Sequence, residues 1–172
     1  LWNKGGERGL YNTTDGGKNW TQTLGDDEWV GVTDIAVDPR NPDRLYAATW
    51  QRHRNVAAYM GGGPGTALYR SEDGGETWES QQSFSDYELY GVCFIDANTG
   101  FVVGRGGTIL KTTNGGAVWK HMTFVSARFR AISFGDANTG AAVGEEGAIY
   151  RTTDGGETWE WVESGTEQDL RG

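Results

Sequence analysis

The sequence predicts an all-β fold made of repeated four-stranded antiparallel units, on three observations. A motif of hydroxyl residue, acid or amide, Gly-Gly and Trp occurs four times. Short apolar runs are broken by turn residues roughly every eight to twelve positions, as in strand-rich domains. No segment carries helical periodicity of useful length. The motif reads Thr13-Thr14-Asp15-Gly16-Gly17-Lys18-Asn19-Trp20, then Ser71-Glu72-Asp73-Gly74-Gly75-Glu76-Thr77-Trp78, Thr112-Thr113-Asn114-Gly115-Gly116-Ala117-Val118-Trp119 and Thr152-Thr153-Asp154-Gly155-Gly156-Glu157-Thr158-Trp159. Its tryptophans lie 58, 41 and 40 residues apart, close to the ~40–50 residues of a propeller blade. The fold class is therefore a partial β-propeller of about three and a half blades.

The third and fourth units define the plan. Tyr90–Ile95, Phe101–Gly104 and Thr108–Thr112 are strands one to three, and a fourth strand is expected from Val118 to about Thr123. Ala131–Phe134, Ala141–Gly144, Ala148–Arg151 and Thr158–Val162 repeat them. The second unit places Val32–Val37 and Leu45–Trp50 before an insertion, and resumes at Ala67–Arg70. The first keeps two strands, around Gly9–Asn12 and Trp20–Thr23. The units are 1–24 (an outer half-blade), 29–82 (a blade with insertion 51–66), 87–124 and 127–163 (blades), and 164–172 (a polar tail).

Composition narrows the function classes. With 28 Gly and 3 Pro in 172 residues, the chain is turn-rich without reaching the ~25–30% of low-complexity sequences. Hydrophobic residues at 36% suffice for a core. No apolar stretch approaches the ~20 residues of a membrane-spanning helix. A net charge of -9 disfavours nucleic acid. The single cysteine, Cys93, forms no internal disulfide. Leu1 in place of an initiator Met, with no signal-peptide pattern, suggests an excised or processed piece.

In the motif, the acid two residues after a hydroxyl is placed to accept backbone N–H groups, the glycines supply positive φ, and the tryptophan covers the turn. Asp15, Trp20, Asp73, Trp78, Asn114, Trp119, Asp154 and Trp159 are thus structural. Asn114 keeps an acceptor but loses the charge, and Asn19 stands where Thr77 and Thr158 stand in other copies.

These residues resemble the Asp-box, or BNR repeat, of sialidases, sortilin-type receptors and xyloglucanases. Residues 9–78, with Asp38-Pro39-Arg40-Asn41-Pro42 and Leu45–Arg52, are similar to sortilin-type repeat proteins often labelled glycosyl hydrolase. Residues 89–159, with paired Asp-Ala-Asn-Thr-Gly turns and Val103–Leu110, look like the photosystem II stability and assembly factor family. That resemblance implies a protein-binding propeller in an extracytoplasmic compartment (periplasmic, secreted or lumenal).

Three places are candidate sites. The insertion carries Arg52, His53, Arg54, Tyr59 and Met60, fitting either a binding loop for an anionic or carbohydrate group or a solvated loop. Asp34 aligns with Val92 and Ile132 when Asp38 is matched to Asp96 and Asp136, and is a candidate ligand or acid or a hydrogen-bonded structural group. Arg105, Arg128 and Arg130 form a cationic strip for a partner's acidic segment, as the assembly-factor resemblance implies, or are solvated arginines. His53, His121 and Cys93 lack the spacing of a metal site, and no cofactor motif appears.

A glycosidase usually needs two carboxyl groups across the scissile bond, or a Tyr nucleophile with its base in sialidases, and Asp34 is the only strand-borne candidate. The sequence therefore favours a non-catalytic binding or assembly scaffold, with a protein or glycan partner. A fragment of a secreted BNR-repeat glycoside hydrolase, or a carbohydrate-binding propeller, is the alternative. Fourteen strands leave blade faces and edges open, so missing blades or another chain are expected to cover them, and self-association or poor solubility is expected alone.

Overall fold

A computed structural model describes residues 8–25, 27–54, 59–61, 63, 65–83, 85, 87–122 and 125–171. Strands β1 (Leu10–Asn12) and β2 (Thr21–Leu24) form a two-stranded sheet, the first half-blade. Blade two is β3 (Val30–Asp38), β4 (Asn41–Arg54), β6 (Leu68–Ser71) and β7 (Glu79–Gln81) in that order, with β5 (Tyr59–Gly61) pairing β4 beyond the sheet. Blade three is β8 (Leu89–Phe94), β9 (Gly100–Gly104), β10 (Ile109–Thr112) and β11 (Lys120–His121). Blade four is β12 (Phe129–Phe134), β13 (Gly140–Gly144), β14 (Ile149–Thr152) and β15 (Glu160–Val162). All pairings are antiparallel. Among the described residues, helical structure is confined to two three-residue 3-10 turns, Arg105–Gly107 and Glu145–Gly147.

The Asp-boxes close the turn between strands three and four. In blade four, Asp154 accepts the N–H groups of Glu157 (3.0 Å) and Thr158 (3.0 Å) and the Thr158 hydroxyl (2.6 Å), while Thr152 donates its hydroxyl to it (2.8 Å). Asp73 does the same with Glu76, Thr77 and Ser71. The second glycine of each box has φ between 78° and 87°, where only glycine is unstrained. Its carbonyl accepts the indole N–H of Trp20, Trp78 or Trp159 at 3.1–3.2 Å.

Two departures from the motif have different outcomes. At Asn19 the side-chain amide donates to Asp15 at 2.6 Å, replacing the threonine hydroxyl, so this box keeps its bonds. At Asn114 the oxygen accepts only from Thr112 and the N–H of Val118, both 2.9 Å. Box bonding also corrects the fourth strands. Val118 and Thr158 still donate to the box, so β11 and β15 begin two residues later than the periodicity suggests.

One aromatic arrangement, repeated, joins the blades. Phe101 of β9 stacks on Phe134 of β12 (4.3 Å, 19°), which meets Trp159 edge-on (6.0 Å, 90°). Tyr46 of β4 stacks on Phe94 of β8 (3.8 Å, 16°), which meets Trp119 edge-on (6.0 Å, 88°). Phe101 is fully buried, and a methyl group at Gly156 would lie 2.4 Å from its ring. Burying such a ring contributes about 2–3 kcal/mol. Tyr46 also donates its hydroxyl to the Gly115 carbonyl at 2.9 Å, so the stack ties strand two of one blade to the Asp-box of the next.

The flanks lack this cover. Ile35 and Val37, on the face of β3 away from blade three, are 42% and 51% exposed. Ala141, in the position of Phe101, leaves no ring to stack. The tail follows the path of the linker between blades three and four: Gly107 donates its N–H to Ala127, and Gly147 donates to Gln168.

Candidate functional site

Strands β3, β8 and β12 lie side by side at the inner ends of their sheets. Each carries a bulge at its start, at Thr33, Tyr90 and Arg130, between the pairs Val32/Asp34, Leu89/Gly91 and Phe129/Ala131. A bulge leaves one residue outside the ladder and re-aims it. Here it lines up one such residue per blade. Tyr90 meets Trp50 edge-on at 5.9 Å, and the Arg130 guanidinium sits 4.4 Å above the Tyr90 ring. Thr33, Asp34, Trp50, Tyr90, Arg130, Ala131 and Arg171 line a groove of about 470 Å³.

A second groove of about 450 Å³ lies at the boundary between blades three and four. Arg105, Arg128, Glu145, Glu146, Tyr150 and Trp161 line it. The ion pairs here are reversed between blades. In blade three, Glu88 precedes β8 and pairs with Arg105 of the turn at 3.3 Å. In blade four, Arg128 precedes β12 and pairs with Glu145 of the turn at 3.0 Å. Arg130 also pairs with Glu145. In both blades the turn's first N–H donates to the carbonyl of the residue before strand one, Arg105 to Glu88 (2.9 Å) and Glu145 to Arg128 (3.0 Å). Burial pushes the Arg128 guanidinium down, but the carboxylate of Glu145 more than offsets this and leaves its pKa raised.

The structure thus brings the three predicted arginines to one rim, on the side where strands two and three are joined. They are not free: Glu88 holds Arg105, and Glu145 holds both Arg128 and Arg130. Sequence reasoning missed Glu88, Tyr90, Trp50, Glu145 and Arg171. Glu88 and Glu145 were legible once the repeats are superimposed, because residues 88 and 128, and 105 and 145, are both 40 apart with opposite charges.

Asp34 requires a correction. Its partner across the ladder is Ala48, as Gly91 faces Val103 and Ala131 faces Val143, so it corresponds to Gly91 and Ala131 rather than Val92 and Ile132. Seven residues separate the paired Val37 and Leu45 in the first hairpin of blade two, against five between Phe94 and Gly100. The longer turn shifts the alignment by one. Asp34 accepts the N–H of Val92 in the next blade (2.8 Å) and its neighbour Ile35 (2.9 Å), which stitches two inner strands together.

The insertion is not a plain loop. Strand β4 runs through Arg54, and β5 returns along it with Arg52 opposite Gly61, His53 opposite Met60 and Arg54 opposite Tyr59. The side chains of Arg52, His53, Arg54 and Tyr59 lie outside the described residues. Burial pushes the Cys93 thiol up to about 11, so it stays protonated. Among the described residues no group of three or more His, Cys, Asp or Glu could hold a metal ion, and no helix is long and apolar enough to cross a membrane.

Comparison with known proteins agrees with this architecture. The chain is 41% identical over 64 residues to the chloroplastic photosystem II stability/assembly factor HCF136 of Cyanidioschyzon merolae, covering 36% of this chain and 14% of that protein. It is 34% identical over 88 residues to the photosystem II assembly lipoprotein Ycf48 of Nostoc sp., covering 43% and 26%. The chain thus spans about a quarter or less of these relatives' length. Among solved structures, YCF48 bound to D1 peptide superimposes with a TM-score of 0.60 at 24% identity, covering 77% of this chain and 39% of that one. An ancestral GH74 enzyme gives 0.68 at 19%, covering 90% and 21%. These likenesses show a BNR-type propeller fold, and the relatives named give the sortilin-type likeness no support. The profile of the family described as photosynthesis system II assembly factor YCF48 matches residues 35–113 and 84–170, and the chain belongs to that family.

Proposed function

We propose that this chain is a non-catalytic assembly scaffold whose rim between blades three and four binds an acidic segment of a partner protein. The convergence of Arg128 and Arg130 on a single carboxylate carries the reading. Two guanidiniums already arranged around one carboxylate are preorganised for another. Trp50 and Tyr90 beside them supply apolar contact for the same segment. The family supports a protein partner: one solved relative is YCF48 with a D1 peptide, and a photosystem II polypeptide is the partner class we carry over. The lipoprotein and chloroplastic relatives support an extracytoplasmic site of action. Asp34, the candidate acid, is engaged by two backbone N–H groups, which favours a scaffold over a glycosidase.

The test is fluorescence anisotropy with a labelled hexaglutamate peptide at low salt. R128Q/R130Q, with an unchanged circular dichroism spectrum, is expected to weaken binding by about tenfold or more. Equal binding by wild type and variant would overturn the reading. So would turnover of a xyloglucan or sialoside that disappears in Asp34→Asn.

A further inference from the structure

Resting on that reading of the rim, we propose that Glu145 is an internal stand-in for the partner's carboxylate, so that binding is an exchange of one carboxylate for another. Arg128 and Arg130 approach Glu145 from the start of β12, Arg130 at Oε1 and Arg128 across both oxygens, 3.0 Å from Oε2 and 3.3 Å from Oε1. This is the arrangement that two guanidiniums would make around a ligand's acid.

Comparison with blade three shows why this carboxylate, and not Glu88, is the displaceable one. Glu88 precedes strand one and its side chain is only 2% exposed, with Arg105 outside it at 40%. Glu145 sits on the turn with 23% exposure, and lines the open groove together with Arg105, Arg128 and Trp161. Its side chain can leave the arginines without burying a charge, whereas removing Glu88 from Arg105 would strand an anion in the interior. Nor does the turn depend on the carboxylate, because the Glu145 N–H to Arg128 carbonyl bond is made by backbone, as in blade three. The consequence is selectivity. An isolated anion fails to displace Glu145, whereas a segment presenting several carboxylates does, and apolar contact to Tyr90 and Trp50 adds to its hold.

Removing a competitor strengthens binding, but removing any acid from the rim also raises local positive charge. Glu146 lines the same groove and has no ion pair to either arginine among the described residues, so it controls for charge alone. The experiment compares hexaglutamate binding by wild type, E145Q, E145D and E146Q, with R128Q/R130Q/E145Q as a further control. E145Q is expected to bind about tenfold more tightly than wild type, and E146Q no more than about twofold. E145D, keeping the charge on a shorter arm, falls between, and the triple variant loses the gain. Equal gains for E145Q and E146Q would overturn the proposal in favour of general charge. Weaker binding by E145Q would overturn it by making Glu145 a positioning residue. Arginine-dependent binding unchanged by E145Q would remove this inference and leave the scaffold reading in place, and binding by none of the proteins would remove both.

Discussion

Blades three and four share an outer edge and differ at the inner rim. Outside, each closes its Asp-box turn with a hydroxyl-to-acceptor bond and covers it with tryptophan beside a stacked aromatic pair. Inside, the same backbone bond holds the same turn, but the side-chain charges are exchanged: Glu88 with Arg105, Arg128 with Glu145. The edge must be repeated because every blade packs on the next. The rim's side chains lie outside this repeated stack and differ from blade to blade, so binding is to be sought where the repeats disagree.

Breaking the shared edge is expected to have the largest effect. Phe101→Ala removes a fully buried ring stacked on Phe134 and packed against Gly156. A loss of about 3–5 kcal/mol is expected, read as the urea unfolding midpoint. A smaller effect follows from restoring or reversing rim charge. Glu88→Arg and Arg105→Glu each place like charges together, and the double variant gives blade three the polarity of blade four. A coupling energy of about 0.5–3 kcal/mol between them is expected in a double-mutant cycle, and additive losses would mean that the pair is not coupled.

The boxes differ in acid response. Hydrogen bonds from Thr77 and its backbone, then from Ser71, hold Asp73 at about 2, and those from Asn19 and Thr13 hold Asp15 at about 2. A folded-state pKa below the unfolded value gives stability that is complete above about pH 4 and is lost as pH falls toward 2. Asn114 contributes nothing in that window. Asn114→Asp should steepen the fall of thermal midpoint between pH 4 and 2, and Asp73→Asn should flatten it. The smallest change is expected for Asn19→Thr, since the amide already donates where threonine does in other boxes. Its midpoint should match wild type.

The architecture was legible because four Asp-boxes mark their turns unambiguously, and because strand and turn residues alternate. The ends of strands were less so, since Val118 and Thr158 look like strand residues while their N–H groups serve the box. Asp34 is misaligned when Asp38 is matched to Asp96, because the connection from Val37 to Leu45 is longer than that from Phe94 to Gly100, which matching one aspartate with another does not register. The arginine strip was found, but its partners were not. Glu88 and Glu145 look like surface acids until the repeats are superimposed and their charges are seen to be exchanged.

Hydrogen exchange with and without an acidic peptide locates the contact without mutation and decides whether the rim is the binding surface. Slowed exchange on peptide addition is expected at residues 88–92, 105–108, 128–132 and 145–147, with the insertion hairpin of β4 and β5 unchanged. Protection concentrated at residues 51–61, with the rim unaffected, would contradict it and move the binding surface to the insertion.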